Sequence, residues 1–417
     1  MKRKLLVIGS GGREHAIGKK LLQSPLVEAV YCLPGNAGMV IDGIQLVDGN
    51  ESDQEFIASF CQEKEISWVF VGPEVPLIDG LVDFLETKGI KAFGPKKKAA
   101  IIEGSKDFAK QLMAKYDIPT ANYETFTDRD DAIAYLSTQE LPIVIKADGL
   151  AAGKGVVIAE TMEKATQAVD DNLLNNVFDS EEPKIVIEEF LVGKEYSLLS
   201  FVGESFVYPM VAAKDHKAIF DGDKGPNTGG MGVYSPVPYV TDSVYQESLS
   251  KIVYPTVDAM KKEGRAFQGI LYTGLIITKD GPKVIEYNAR FGDPETQVLL
   301  ERLETDLVEV IESIFDDKSI EVSWKDTGFD LGVVVSAKGY PNSYEKGRPL
   351  HIDTTNKEVN LFFAGVASKN DSLVSNGGRV FMAESSGATL EEARGKVYGW
   401  LSEQQLTDFY YRTDIGK

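Results

Sequence analysis

The chain has 417 residues, 43% hydrophobic and 26% charged, and a formal net charge of −20 from 44 Lys and Arg against 64 Asp and Glu. That composition supplies ample core and predicts about two to four domains, while its acidity argues against nucleic-acid and anionic-membrane partners. Two cysteines, Cys32 and Cys61, and three histidines exclude a disulfide framework, a zinc cluster and a histidine-based metal site. They fit a reducing compartment, so a cytoplasmic location is expected.

Met1 to Leu6 (MKRKLL) superficially resembles the start of a signal peptide, but the apolar run ends at Gly9 and reads as a first strand over residues 4–8. No run approaches a membrane span. GSGGREHA opens a helix to about Leu22, VEAVYCL and PGN give a second strand and loop, and residues 55–64 are helical. ISWVFVGPE is a third strand and loop, followed by a helix near 79–88 and by IKAFGP. Alternating strands and helices predict an open parallel sheet.

From Ala99 the character changes. IIEGSKDFAKQLMAKY reads as one amphipathic helix, PIVIKADGLAAGKGVVIA as two strands around a glycine-rich loop, residues 161–176 as a helix and KIVIEEFL as a strand. YSLLSFVG, SFVYPMVAA, YTGLIITKDG and PKVIEYN read as antiparallel strands, closed by a helix over 296–316. After Trp324, GVVVSAKGYP, KEVNLFFAGVA and GGRVFMAESSG precede a helix from Thr389, a small β-rich unit. The expected divisions are 1–102, 103–325 with a lid subdomain at about 120–192, and 326–417.

KVIEYNARFGDPET carries the most chemistry. Strand alternation puts Glu286, Asn288 and Arg290 on one face. Oxygen donors suit a hard cation such as Mg2+, which usually arrives with nucleotide phosphates, and Arg290 suits a developing phosphoryl or acyl-phosphate charge. A salt-bridged strand end is the alternative. Gly9 to Gly12 can present amides to a phosphate at a helix N-terminus, or form a tight turn. The third glycine of G-x-G-x-x-G falls on Glu14, and Leu33-Pro34-Gly35 offers no acid for a ribose diol, which argues against NAD.

The run from Gly149 to Gly155 is not a Walker A loop and fits a hairpin lid over triphosphate. Lys146 enters that hairpin. Burying it unpaired is costly, which favours a phosphate partner over a solvent-exposed edge position. Glu188 and Glu195, with Leu191 between them, suit ribose hydroxyls and an adenine edge, or are surface glutamates. Asp221 to Gly232, dense in glycine, suggests backbone approached closely by a small zwitterion or phosphate. His216 in KDHK reads equally as structural or catalytic, and no nucleophile arrangement stands out.

GSGGREHA, VGPEVPL, FGP, EGSKDFAK, PIVIKADGLAAGKGV, IEEFL, GPNTGGMG, YSPVP and NARFGDPETQ, in this order, resemble the phosphoribosylamine–glycine ligase (glycinamide ribonucleotide synthetase) family of the ATP-grasp superfamily. The resemblance extends to the terminal YRTDIG. It implies an N-terminal α/β domain, a central ATP-grasp fold with a mobile lid and a small β-rich C-terminal domain. It also implies ATP-dependent joining of glycine to 5-phosphoribosylamine through glycyl phosphate. Lys106 and Lys146 would hold ATP phosphates under a lid that includes Gly153, Lys154 and Gly155. Glu188 and Leu191 would frame adenine, and Glu195 ribose. Glu286 and Asn288 would ligate Mg2+ or Mn2+. Arg290, Asp293 and Lys146 form the expected catalytic set. Gly11, Gly12, Asp215, His216, Lys217, Asn227, Thr228, Gly229, Gly230, Asp293 and Glu295 form the substrate side.

The family usually shows Gln before Asp-His-Lys and Arg after it, where this chain has Lys214 and Ala218, so Lys214 or Lys217 would have to replace any phosphate contact of that Arg. A monomer is expected, with small-molecule partners only. The chain ends at DIGK, and no fused later pathway domain is expected. Another ATP-grasp ligase and a nucleotide-sensing binding protein are the competing readings.

Overall fold

A computed structural model describes residues 2–150 and 155–417. The first hundred residues form a five-stranded parallel sheet in the order Gln45–Leu46, Val27–Pro34, Arg3–Gly9, Trp68–Val71, Ala92–Phe93. Leu5 to Ile8 are buried, as expected for a strand covered on both faces. Strand order reverses around Arg3–Gly9. In such sheets the crevice beyond the strand C-termini at that switch point is where ligands bind. Here it is bordered by Gly9 to Gly11 and by Pro73 and Glu74.

The helix expected at 79–88 begins earlier and is two helices, Glu74–Asp79 and Leu81–Thr87, interrupted at Gly80 with φ of +89°. Left-handed backbone at that position suits glycine and ends the first helix. A 3-10 segment, Ala37–Asp42, was not anticipated. It starts where the Asn36 side chain accepts a hydrogen bond from the Gly38 amide.

The long helix expected from Ile101 to Tyr116 is also divided, into Lys97–Gly104 and Lys106–Lys115. Ser105 is extended, and its Oγ accepts the Phe108 amide at 3.1 Å, so a capping hydroxyl outcompetes helix continuation. Beyond it, strands Tyr123–Phe126, Ile185–Glu189, Ile143–Ala147 and Val156–Ala159 make an antiparallel sheet in that order. Helices Arg129–Leu136 and Met162–Leu173 pack on it around a separate small core. A second antiparallel sheet has the order Val207–Pro209, Lys194–Val202, Gly269–Thr278, Gly281–Asn288.

The closing helix is likewise two, Glu295–Arg302 and Leu307–Phe315. Leu303 is extended and Asp306 caps the second by accepting the Val308 amide at 2.8 Å. The last region builds an antiparallel sheet from Phe329–Ala337, Arg379–Gly387 and Asn360–Phe363, backed by helix Leu390–Glu403. That sheet continues through Gly232–Ser235 and Lys214–Asp215, and between these two strands Ala218–Phe220 and Lys224–Asn227 pair as a separate hairpin that takes up part of the glycine-rich segment. His15, fully buried, pins the first region to the last: Nδ1 accepts the Phe363 amide at 2.8 Å while Nε2 lies 2.9 Å from Asp42. Among the described residues no helix is long and apolar enough to cross a membrane.

Candidate active site

The three regions meet around one cavity of about 570 Å³. Its first wall is the antiparallel sheet of residues 123–189. Lys146 is buried there, with Nζ 2.9 Å from Glu188 Oε1 and donating to the Ile285 carbonyl at 3.0 Å. The exposed-edge alternative for Lys146 and the surface alternative for Glu188 are therefore both excluded. Lys110, which the sequence reading passed over, approaches the other Glu188 oxygen at 3.0 Å. One carboxylate thus bridges two buried ammonium groups. Burial pulls the Lys110 pKa down to about 8 despite Glu188. Lys106 donates to the Gly149 carbonyl at 2.8 Å, and its pKa is lowered mainly by burial, against the pull of Glu286 and Asp148. Gly155 and Leu191 line this wall, and Glu195 sits at its exposed rim. Gly153 and Lys154 lie outside the described residues.

Glu286 and Asn288 both line the cavity from strand Gly281–Asn288. Glu286 pairs with Lys217 at 2.8 Å, and Lys217 is the main reason its carboxyl is held down to about 2. An always-ionised carboxylate beside a carboxamide oxygen is a donor set that fits Mg2+ or Mn2+. No group of three or more His, Cys, Asp or Glu among the described residues could hold an ion by itself. Such an ion would take its remaining ligands from phosphates and water.

Arg290 follows the strand and is gripped by two acids, Glu103 at 2.9 Å and Glu74 at 3.3 Å. Burial pushes the Glu74 carboxyl up, but Arg290 and Arg13 outweigh it and hold it below its ordinary value. Neither glutamate was singled out in the sequence. Each sits in a loop or helix whose relation to Arg290 exists only in three dimensions.

The remaining wall holds Asp215, Lys217, Asn227, Thr228, Gly229, Asp293 and Glu295 together. Asp293 accepts from Gln297 at 2.9 Å and lies 3.3 Å from Arg379. Arg379 and Arg13 keep its carboxyl below the ordinary value against burial. Arg379, which also went unnoticed in GGRV, donates to the carbonyls of Gly229 at 2.8 Å and Asp293 at 2.7 Å.

Three expected substrate residues do not line the cavity. The His216 ring packs on Tyr234 with centroids 5.8 Å apart, and burial lowers its pKa to about 4, which is the structural alternative for this residue. Gly12 and Gly230 lie behind the wall. Gly11 lines it, but its amide donates to Glu14 Oε2 at 2.7 Å, so the chain's own carboxylate occupies the group offered to a phosphate.

Three family models match the chain in succession: the phosphoribosylglycinamide synthetase N domain over residues 3–103, its ATP-grasp (A) domain over 104–296 and its C domain over 330–417. The chain belongs to the phosphoribosylamine–glycine ligase family. Its relatives include the phosphoribosylamine–glycine ligases of Listeria monocytogenes serotype 4b, 53% identical over 99% of both chains, and of Streptococcus pneumoniae serotype 4, 50% identical over 99% of both. Among solved structures, the phosphoribosylamine–glycine ligase of Thermotoga maritima superimposes with a TM-score of 0.86 at 34% identity, covering 99% of this chain and 100% of that one. A biotin carboxylase domain from Hydrogenobacter thermophilus gives a TM-score of 0.76 over 99% of this chain and 92% of that one. At 16% identity this likeness is one of fold alone. The family's ATP-grasp core is thus the pair of antiparallel sheets around the cavity, with the parallel sheet before it and the antiparallel C-terminal domain after it.

Proposed function

We propose that the protein joins glycine to 5-phosphoribosylamine with ATP, giving glycinamide ribonucleotide, ADP and phosphate, in purine biosynthesis. The observation that carries this reading is identity above 50% with a phosphoribosylamine–glycine ligase over essentially the whole length of both chains. The cavity supports it with a cationic wall, an oxygen-donor pair and a mixed-charge wall facing one space.

The glycine carboxylate attacks the γ-phosphorus of ATP. A new P–O bond forms as the bond to ADP breaks, leaving glycyl phosphate. The amine of phosphoribosylamine then attacks the acyl carbon and phosphate departs. Lys106 and Lys146 neutralise the ATP phosphates, with Lys146 held in place by Glu188 and the Ile285 carbonyl. Leu191 borders the adenine and Glu195 the ribose. A divalent ion held by Glu286 and Asn288 would add charge neutralisation at the phosphates. Arg290, fixed by Glu103 and Glu74, faces the negative charge of the acyl phosphate. Positioning and charge neutralisation do most of the work in such transfers. A lid of about residues 120–192, carrying the paired strands Ile143–Ala147 and Val156–Ala159, excludes water from an intermediate that hydrolyses.

On this reading residues 1–102, 103–325 and 326–417 act as one cytoplasmic, monomeric enzyme. The deciding experiment incubates purified protein with ATP and a divalent cation, adding glycine and phosphoribosylamine singly and together. ADP release that requires both supports the assignment, and its absence with both present rejects it.

A further inference from the structure

Lys110 is a buried cation beside the cavity that the reaction above does not use. It sits one helical turn after Lys106 on helix Lys106–Lys115, so both ammonium groups reach the same space. Its own protons are already committed. Nζ donates to Thr120 Oγ1 at 2.8 Å and to the Ala121 carbonyl at 3.4 Å, and it lies 3.0 Å from Glu188 Oε2. An ammonium has three donors, so these partners leave Lys110 none for a ligand. Thr120 in turn donates to the Val284 carbonyl at 2.8 Å, which fixes this anchor to the strand that carries Glu286.

Lys146 is placed differently. It donates to the Ile285 carbonyl, and Glu188 Oε1 stands 2.9 Å from its Nζ without accepting a directed hydrogen bond. Protons of Lys146 therefore remain for a phosphate, and charge decides the rest. Glu188 and Lys146 alone sum to zero. Lys110, whose pKa of about 8 keeps it charged near neutral pH, brings the three to a net single positive charge. Glu189, the next acid along the strand, is answered by Lys283 at 3.6 Å. In a buried cluster such a difference of one charge weighs far more than it does in water. We propose that Lys110 is a positioning residue for nucleotide binding: it neutralises Glu188, so that the charge of Lys146 stays available to the ATP phosphates. The role rests on the place given to Lys146 in the ligase reading above.

The test is calorimetric binding of ADP with Mg2+ to the whole chain, with adenosine measured by displacement of ADP. The ratio of the two affinities isolates what the phosphates contribute. Lys110→Met is expected to cut that ratio by about tenfold, with adenosine affinity changed by less than about twofold. Combining Lys110→Met with Glu188→Gln, which removes the carboxylate charge as well, should return the ratio to within about threefold of the parent. A lysine that only supports the fold would give no such recovery. Lys110→Gln, which keeps a donor for Thr120, provides the same readout if the methionine variant fails to fold. An unchanged ratio in the single variant, a parallel loss of ADP and adenosine, or no recovery in the double variant overturns the proposal. A parent protein that binds ADP more tightly than adenosine, yet releases no ADP from ATP with glycine and phosphoribosylamine, rejects the ligase reading and leaves the role of Lys110 to the binding ratios.

Discussion

Glu188 stands 3.0 Å from Lys110 and 2.9 Å from Lys146, all three almost wholly buried. Such a triad gains little over apolar packing, but removing its anion leaves two cations stranded. Glu188→Ala is therefore expected to lower unfolding stability by about 3–5 kcal/mol, read from urea denaturation. A loss below about 1 kcal/mol would mean that water already reaches these lysines. His216 provides a pH-dependent counterpart. Its pKa is lowered to about 4 by burial first and then by Lys214 and Arg412, against about 6.5 in the unfolded chain. The unfolded state binds the proton more readily, so stability is lost as pH falls through this window and restored above it. From about pH 7 to about pH 5 this one group contributes a loss of roughly 2 kcal/mol. His216→Asn should remove that increment from the pH dependence of the urea midpoint. An identical slope in both proteins would contradict the burial of the ring.

At the level of elements, most strands were legible because apolar runs bounded by glycine and proline leave few alternatives. The helix interruptions were less so. EGSKDF and TDLVE lie inside continuous amphipathic patterns, and periodicity alone runs through them. The signals lay in Ser105 and Asp306, residue types that cap helices. Ser105 has a second role, since its Oγ also reaches Asp148 at 3.1 Å, just before the hairpin loop. Ser105→Ala should cost about 1 kcal/mol of stability from the lost cap. Ser105→Asp, which keeps an acceptor for the Phe108 amide but repels Asp148, should recover only part of it. Full recovery by Asp would show that the Asp148 contact is energetically silent. The candidate site divides the same way. Glu286 and Asn288 share one strand and Arg290 follows two residues beyond its end, so all three were readable from alternation. Lys110, Glu74 and Glu103 come from three separate elements and join the site only through packing.

The whole molecule is tied together where the C-terminal sheet reaches the cavity. Arg379 begins the strand Arg379–Gly387, and its guanidinium spans the Gly229 carbonyl, the Asp293 carbonyl and the Asp293 carboxylate. The C-terminal domain thereby sets the position of both the glycine-rich loop and the end of KVIEYNARFGDPET. Strands Lys214–Asp215 and Gly232–Ser235 belong to the same sheet, so the segment between them is held at both ends, and Arg379 holds it again at Gly229. Arg379→Met keeps much of the side-chain volume but removes every one of those bonds and the counter-charge of Asp293. Among the described residues no hydrogen bond or ion pair joins Arg379 to the Lys106–Lys146 wall, which should be untouched. Turnover is therefore expected to fall by about 100-fold through misplacement of the substrate wall, with ATP affinity changed by less than about twofold. Lysine should rescue little, since a single ammonium cannot span two carbonyls and a carboxylate in the fixed geometry of a guanidinium. ATP titration alongside kcat measurement separates the outcomes. A parallel loss of ATP binding would mean that Arg379 supports the fold of the whole cavity, and undiminished turnover would mean that the loop keeps its position without the C-terminal domain.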